Sequence, residues 1–560
     1  MFTKLFKLIL VILFFIQSPL YSKNSGSRDF NSKNLSNYFS GIIAYENNDN
    51  LEALNFFRSS RILLHKHNPY LKRYIYSLVL ENKTKQAAIE IKQNLEKNNS
   101  NFFEAHLILA LESLKKQNFD KSKDYLEESR KFINNDKIAL IIYETIKEYL
   151  FVFQEGKILK TEKIFGNISF INEIFQKCYL GDKNTARNFK TLIDRNEDYS
   201  RYTFFLINHL IENDQFEEVQ KITSEIDYLN SSILIAQSKK WIEKNEIKKI
   251  KKTFSCKNSS DIIAEFIFII GNLYAAQNDY EKSNFYLNIA NYLNPNFKFN
   301  LSVMVENYYS NKNYEKVKKI LENFNKKDNF YYWFKIKKET QIISKEISNL
   351  EALNYMNEKF NKINNPSIKT IFDIANLNKN SKKYQNAINY YDLIISKLDI
   401  DTNIYADILF RRGISHERLG NYLKSDKDFL KSLEINSEDP QVLNYLAYSW
   451  LEREYKIDQA MQMLKKAYDF RSNDPYIIDS IGWGHYMIGD FVVAESFLKR
   501  AVELMPNDPV VNDHYGDILW RLDRKIQARY FWTSVLSLKD TEDEMKKDIN
   551  IKLIEGLKNS

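Results

Sequence analysis

Groups able to do chemistry are abundant in this chain but are not arranged to do it. Its 73 Asp and Glu residues supply any carboxylate spacing by chance, so no pair of them marks an acid–base centre. Neither H-E-x-x-H, G-x-x-x-x-G-K-[ST] nor G-x-S-x-G occurs. Gly482-Trp483-Gly484 is a fragment of a dinucleotide fingerprint inside a helical stretch, not after a strand, and no cofactor is expected. Among seven scattered His, His416 and His485 read as packed imidazoles rather than metal ligands. The two Cys, Cys178 and Cys256, stand 78 residues apart; they read as buried free thiols, although export would permit a bond. Tryptophan is distributed differently. Four of the six, Trp450, Trp483, Trp520 and Trp532, fall in the last 111 residues. Aromatics gathered with a few charges suit recognition of another chain better than catalysis.

The elements that would position these side chains are helices. Of 560 residues only 13 are Gly and 8 are Pro, too few for the turns of a sandwich, a barrel or a doubly wound sheet. Hydrophobic residues at 44% and aromatics at 14% supply a large core and exclude a disordered chain. Asp439-Pro440, Asp474-Pro475 and Asp508-Pro509 recur at 35 and 34 residues; Gly413, Ala447, Gly482 and Gly516 at 34, 35 and 34; Ala460, Ala494 and Ala528 at 34 and 34. Three residue classes share one period. Asp-Pro suits a helix start, because Pro fits the first turn. The small residue and the later Ala let two antiparallel helices approach, while larger residues such as Phe491 and Leu498 fill between units.

The pattern resembles the tetratricopeptide repeat (TPR) family, with Ile481-Gly482, Ala494, Leu498, Ala501 and Pro506 as one copy. Ile270-Gly271-Asn272-Leu273-Tyr274 with Ser283, Leu287, Ala290 and Pro295 is a second, and Gly41, Asp49, Ala53 and Phe57 a third. Weaker copies centre on Ala87, Ser122, Val219, Val317, Ala352, Ala387 and Ser425, and 137–170 has no readable repeat. The resemblance implies an all-α fold, a right-handed α-solenoid of helix-turn-helix units. Thr541-Glu542-Asp543-Glu544 resembles a capping box opening a terminal helix, with Met545, Ile549, Leu553 and Leu557 on one face. The expected organisation is a degenerate arm over 23–260, a regular superhelix over 261–540 and a capping helix over 541–560.

In this family the first-helix residues just past the small position line a concave groove. Carried over, that implies a protein- or peptide-binding groove of Tyr448, Leu451, Trp483, Tyr486, Met487, Asp517, Trp520 and Arg521, with Asn444, Asp479 and Asp513 from the preceding turn. Trp450 and Trp532 fall where the family packs its core. The Lys/Asn arrangement that clamps a C-terminal carboxylate in some members is absent, so that specificity does not follow.

At the N-terminus, Lys4 and Lys7 precede an unbroken apolar run from Leu8 to Ile16, which Gln17, Ser18 and Pro19 end. This is the layout of a signal peptide over 1–22, with an uncleaved inner-membrane anchor as the alternative. No Cys follows for lipid attachment. Ile262 to Ala276 reads as a buried helix rather than a membrane span. The charge of +8 is spread along the chain, and its densest run, Lys244 to Lys252, reads as a solvated helix face, so no nucleic-acid partner is expected. The expectation is an exported, non-enzymatic scaffold of the cell envelope, binding a protein or peptide partner through its groove; the alternatives are an inner-membrane anchored adaptor that recruits partners and a TPR-bearing enzyme with an unrecognised catalytic site. Membrane association would come through the N-terminus alone.

Overall fold

The computed structural model describes residues 31–64, 68–95, 102–159, 164–195, 199–400 and 402–557. The segment 1–22, expected to be a signal peptide or an uncleaved anchor, lies outside these residues. Every regular element described is a helix, and no strand occurs among them. The chain divides into two compact units, 1–335 and 336–560.

Many of the helix pairs are built the same way. A first helix ends, one residue turns through the left-handed region, and a second helix runs back. Asn48, Gln117, Asn278, Lys312, Gly420, Gly489 and Asp523 make that turn. Asp49, Asn118, Asp279 and Asn313 then accept a backbone N–H of the second helix, a standard N-cap. Within the pair, the small first-helix residue leaves room for a large side chain sixteen positions later. A Cβ on Gly41, Gly271, Gly413, Gly482 or Gly516 would stand 2.5–2.9 Å from Phe57, Leu287, Phe429, Leu498 or Trp532. Real Cβ atoms do not approach that closely, so these positions are held small by packing.

In the first unit the stack folds back on itself. Helix Tyr280–Leu293 packs against helices Asn68–Leu80, Thr84–Leu95 and Phe103–Lys115, some 200 residues earlier. Phe285 stacks on Tyr76 at 4.3 Å, Tyr292 donates to Glu112, and Lys316 pairs with the buried Glu81. The long helix Ser259–Ala276 is apolar enough to cross a membrane, yet 72% of it is buried. Its Glu265 forms a two-pronged pair with Arg201, Nη2 to Oε2 at 3.0 Å, beneath the ring of Phe268. These contacts tie the stretch around residue 260 into the first unit. The first compact unit runs on to residue 335. The run Lys244–Lys252 contributes the short helix Ile247–Thr253, with Lys249 beside Glu246 and Asp328.

The cysteine expectation is corrected. Cys178, at the end of helix Asn167–Leu180, and Cys256, in the loop before Ser259–Ala276, form a disulfide with Cα atoms 5.6 Å apart. Tertiary packing brings them together, and nothing in a 78-residue spacing announces it.

From Asn403 onward, the second unit consists of four hairpins and a closing helix among the described residues. The hairpins pair Asn403–Glu417 with Tyr422–Ile435, Pro440–Glu452 with Ile457–Phe470, Pro475–Met487 with Phe491–Leu504, and Pro509–Arg521 with Lys525–Ser537. Asp439, Asp474 and Asp508 cap three first helices, with Pro at the first helical position. The closing helix is Asp543–Glu555. Its capping box is not formed: Thr541 is buried and donates to Val535 O, and Glu542 takes the cap position without a side-chain bond. Ile549 nonetheless buries fully, with Met545, Leu553 and Leu557 against the same core.

Candidate functional site

The first helices of the four hairpins stand side by side, and their facing residues interlock across one repeat. Asp479 accepts from His514 Nδ1 at 2.9 and 3.1 Å. Tyr486 OH accepts from Arg521 Nε at 3.1 Å. Asp517 accepts from Lys552 of the closing helix at 2.8 Å, and Asp513 from the same ammonium at 2.6 Å. Asp479–His514, Tyr486–Arg521 and Asp517–Lys552 are each 35 residues apart, one repeat on. The closing helix thus supplies the next rung of this ladder.

Its electrostatics follow from burial. His514 is buried, which favours the neutral ring, but the adjoining Asp479 carboxylate, with Asp513 and Asp517 behind it, holds its pKa above the usual imidazole value. Asp517 is pushed up to about 6 by burial and by the neighbouring Asp513, against the pull of Lys552. Two carboxylates keep Lys552 protonated.

An aromatic stack lies on this ladder. Trp483 is sandwiched between Tyr486, 4.5 Å away and nearly parallel, and His514, 4.1 Å away. The indole N–H of Trp483 donates to Glu452 at 2.9 Å. Trp483, Tyr486 and Met487 are half-buried. Trp520 is also half-buried, but it leans on Trp532 at 5.3 Å and lies against the backbone of Gly556, beyond the closing helix. Asp513, Asp517 and Trp520 are therefore engaged by the chain's own terminus. Leu451 is fully buried in the core, packed close to Gly484 of the next first helix, and it is corrected from the groove list. Trp450 and Trp532 are buried, and the Trp532 indole donates to Asp517 at 3.0 Å.

Beside the stack is a cavity of about 570 Å³. Its walls come from successive first helices: Glu417 and Arg418; Asn444, Tyr445, Tyr448, Ser449, Glu452 and Arg453; Tyr476, Asp479 and Ser480; Asp508, Val510 and Val511. Tyr422 enters from a second helix. Of the residues expected on the groove, Tyr448, Asp479 and Asn444 meet here, whereas Trp483, Tyr486 and Arg521 belong to the ladder beside it and Met487 is half-buried at the end of the same helix as Trp483. Burial raises the hydroxyl of Tyr448, and that of Tyr445 is pushed up to about 12, so both are neutral donors. Arg453 is fixed by Asp426 at 2.7 Å and lies over Tyr422. Asn444 Oδ1 is buried in the wall and has no hydrogen-bond partner among the described residues.

Sequence reasoning missed His514, Tyr445 and Ser480, although they share one repeat position, immediately after Asn444, Asp479 and Asp513. That register was the available signal. Tyr422 carried none, since it comes from the other helix of its pair.

The chain carries tetratricopeptide repeats. A family model described as tetratricopeptide repeat matches residues 406–439, overlapping the hairpin of Asn403–Glu417 and Tyr422–Ile435. A TPR repeat-containing protein of Pseudomonas aeruginosa is 28% identical over 111 residues, 20% of this chain and 19% of that protein. The chain thus spans about a fifth of the length of the relative it matches. Among solved structures, a tetratricopeptide repeat protein of Parabacteroides merdae aligns at 15% identity and TM-score 0.39 over 46% of this chain and 98% of its own. A thermophilic TPR protein of Thermus thermophilus aligns at 14% and 0.30, over 34% and 100%. The pilF protein of Pseudomonas aeruginosa gives 14% and 0.28, over 34% and 85%. Repeats of this class build protein-interaction scaffolds.

Proposed function

We propose that the C-terminal hairpins hold a segment of another protein in the cavity walled by Tyr448, Tyr476 and Asp479, and that the protein is a non-enzymatic scaffold of the cell envelope. The observation that carries this reading is the cavity's composition. Four tyrosines and two arginines line it, the residue types that dominate binding energy at interfaces. Aromatic faces offer large contact area at small entropic cost. The unpaired Asn444 Oδ1 offers an acceptor to a backbone N–H of the bound segment.

The Cys178–Cys256 disulfide supports export, because such bonds persist in oxidising compartments. Fractionation with N-terminal sequencing tests this part. A chain beginning near Lys23 in the periplasm supports it; an intact start sedimenting with membranes supports the anchored form instead. For the binding part, the partner is captured from solubilised envelopes with the full chain. It is then titrated against a Tyr448→Ala, Tyr476→Ala double variant. Affinity falls by at least tenfold if these tyrosines anchor the partner, and unchanged affinity contradicts the cavity as the site.

A further inference from the structure

The disulfide has a third neighbour. His209, on helix Tyr202–Glu212, presents Nδ1 to Cys178 Sγ at 3.5 Å. The two sulfurs and an imidazole nitrogen lie within 4.8 Å of one another. They come from three separate parts of the first unit: the end of helix Asn167–Leu180, the helix Tyr202–Glu212, and the loop before Ser259–Ala276. Both Cys are buried and His209 is half-buried, so the cluster is reached from the imidazole side. The only other contact of Nδ1 recorded among the described residues is the Asn213 amide, also at 3.5 Å. A half-buried imidazole turned toward two sulfurs does little for a closed disulfide. Next to two thiolates it completes a set of metal donors.

We propose that the reduced chain binds one Cu(I) ion between Cys178 Sγ, Cys256 Sγ and His209 Nδ1. Two thiolates and an imidazole are soft donors that favour Cu(I) and Zn(II) over harder cations. Structural Zn(II) sites are almost always four-coordinate, and only three donors converge here among the described residues, which favours the ion that accepts three. The site opens only after reduction. A phosphine reductant with water gives two thiols and the phosphine oxide: the S–S bond accepts two electrons and two protons, and the phosphine takes the oxygen. Cu(I) then replaces the two thiol protons.

The test uses the full chain, reduced with a water-soluble phosphine, freed of reductant under anaerobic conditions and assayed for two thiols. It is titrated against Cu(I) held by a chromogenic chelator. The expected result is withdrawal of one Cu(I) per chain. His209→Ala should weaken binding at least tenfold, and Cys256→Ser should abolish it, both variants keeping the parent helical circular dichroism. If Cys256→Ser loses its helicity, alkylation of the two thiols in the reduced parent replaces it, and copper uptake should disappear. The proposal is overturned if the reduced chain withdraws no copper, if His209→Ala binds as tightly as the parent, or if the thiols titrate only after helicity is lost.

Discussion

Trp483 and Trp532 stand in consecutive hairpins and do different work. Trp532 is fully buried, fills the space kept open by Gly516, and gives its N–H to Asp517. Trp450 is buried likewise. Replacing either with Ala should cost about 3–5 kcal/mol of unfolding free energy in urea melts, as for other buried aromatics. Trp483 is half-exposed and held by two stacking partners, so Trp483→Ala should cost about 2 kcal/mol, from lost ring pairs alone. Equal losses in all three would place Trp483 in the core. His514 supplies a pH signature. A group whose folded pKa is raised contributes stability that is complete below its unfolded value near 6.5 and is lost as pH rises through the folded value. Stability of the C-terminal hairpins should therefore fall as pH rises above about 6.5, and His514→Gln should flatten that fall. Asp517, raised to about 6, acts in the same direction at lower pH, so the upper window isolates the histidine. A slope that survives in His514→Gln would assign it to another group.

For the helical pair, the close approach at the small residue makes a prediction opposite to ordinary propensity. Gly→Ala inside an exposed helix stabilises by up to about 1 kcal/mol. Gly516→Ala should instead destabilise, because its new Cβ would sit 2.5 Å from the Trp532 ring, and Gly482→Ala should do so through Leu498. Thermal melts of these two beside Gly489→Ala separate the causes, since Gly489 has open space around it and is limited only by its positive φ. The hairpins themselves were legible in the sequence, because the Gly-to-large spacing of sixteen and the Asp-Pro starts are local. The closing helix was legible in its apolar face but not in its cap. Thr541 turns inward to Val535 O, a choice made by tertiary contacts that a four-residue motif does not contain.

Across the whole molecule, local pattern stops being informative where the chain meets itself at long range. The return of Tyr280–Leu293 onto residues 68–115, the Arg201–Glu265 pair and the Cys178–Cys256 bond join segments far apart in sequence. Each partner is ordinary where it stands; only the fold makes them neighbours. The candidate site was legible in part for a related reason. Tyr448 and Asp479 follow from repeat register, but the use of Asp513 and Asp517 by Lys552 depends on how the last helix docks. Closing a 78-residue loop, the disulfide should stabilise the first unit by about 4 kcal/mol on a chain-entropy account. Hydrogen exchange on the reduced full chain should show faster exchange in residues 164–335 and unchanged protection in the C-terminal hairpins. Uniform acceleration over both units would contradict that assignment.

Entry of a partner segment into the tyrosine-lined cavity is the proposal on which the function rests. Site-specific photocrosslinking in living cells tests it directly, with a photoreactive phenylalanine at Tyr476, a cavity wall residue that is 59% exposed. The comparison position is Ile526, on a second helix and 88% exposed. The account predicts a discrete adduct from position 476, lost when Tyr448→Ala is added, and none from position 526. Adducts of the same mass from both positions, or from position 526 alone, would contradict it.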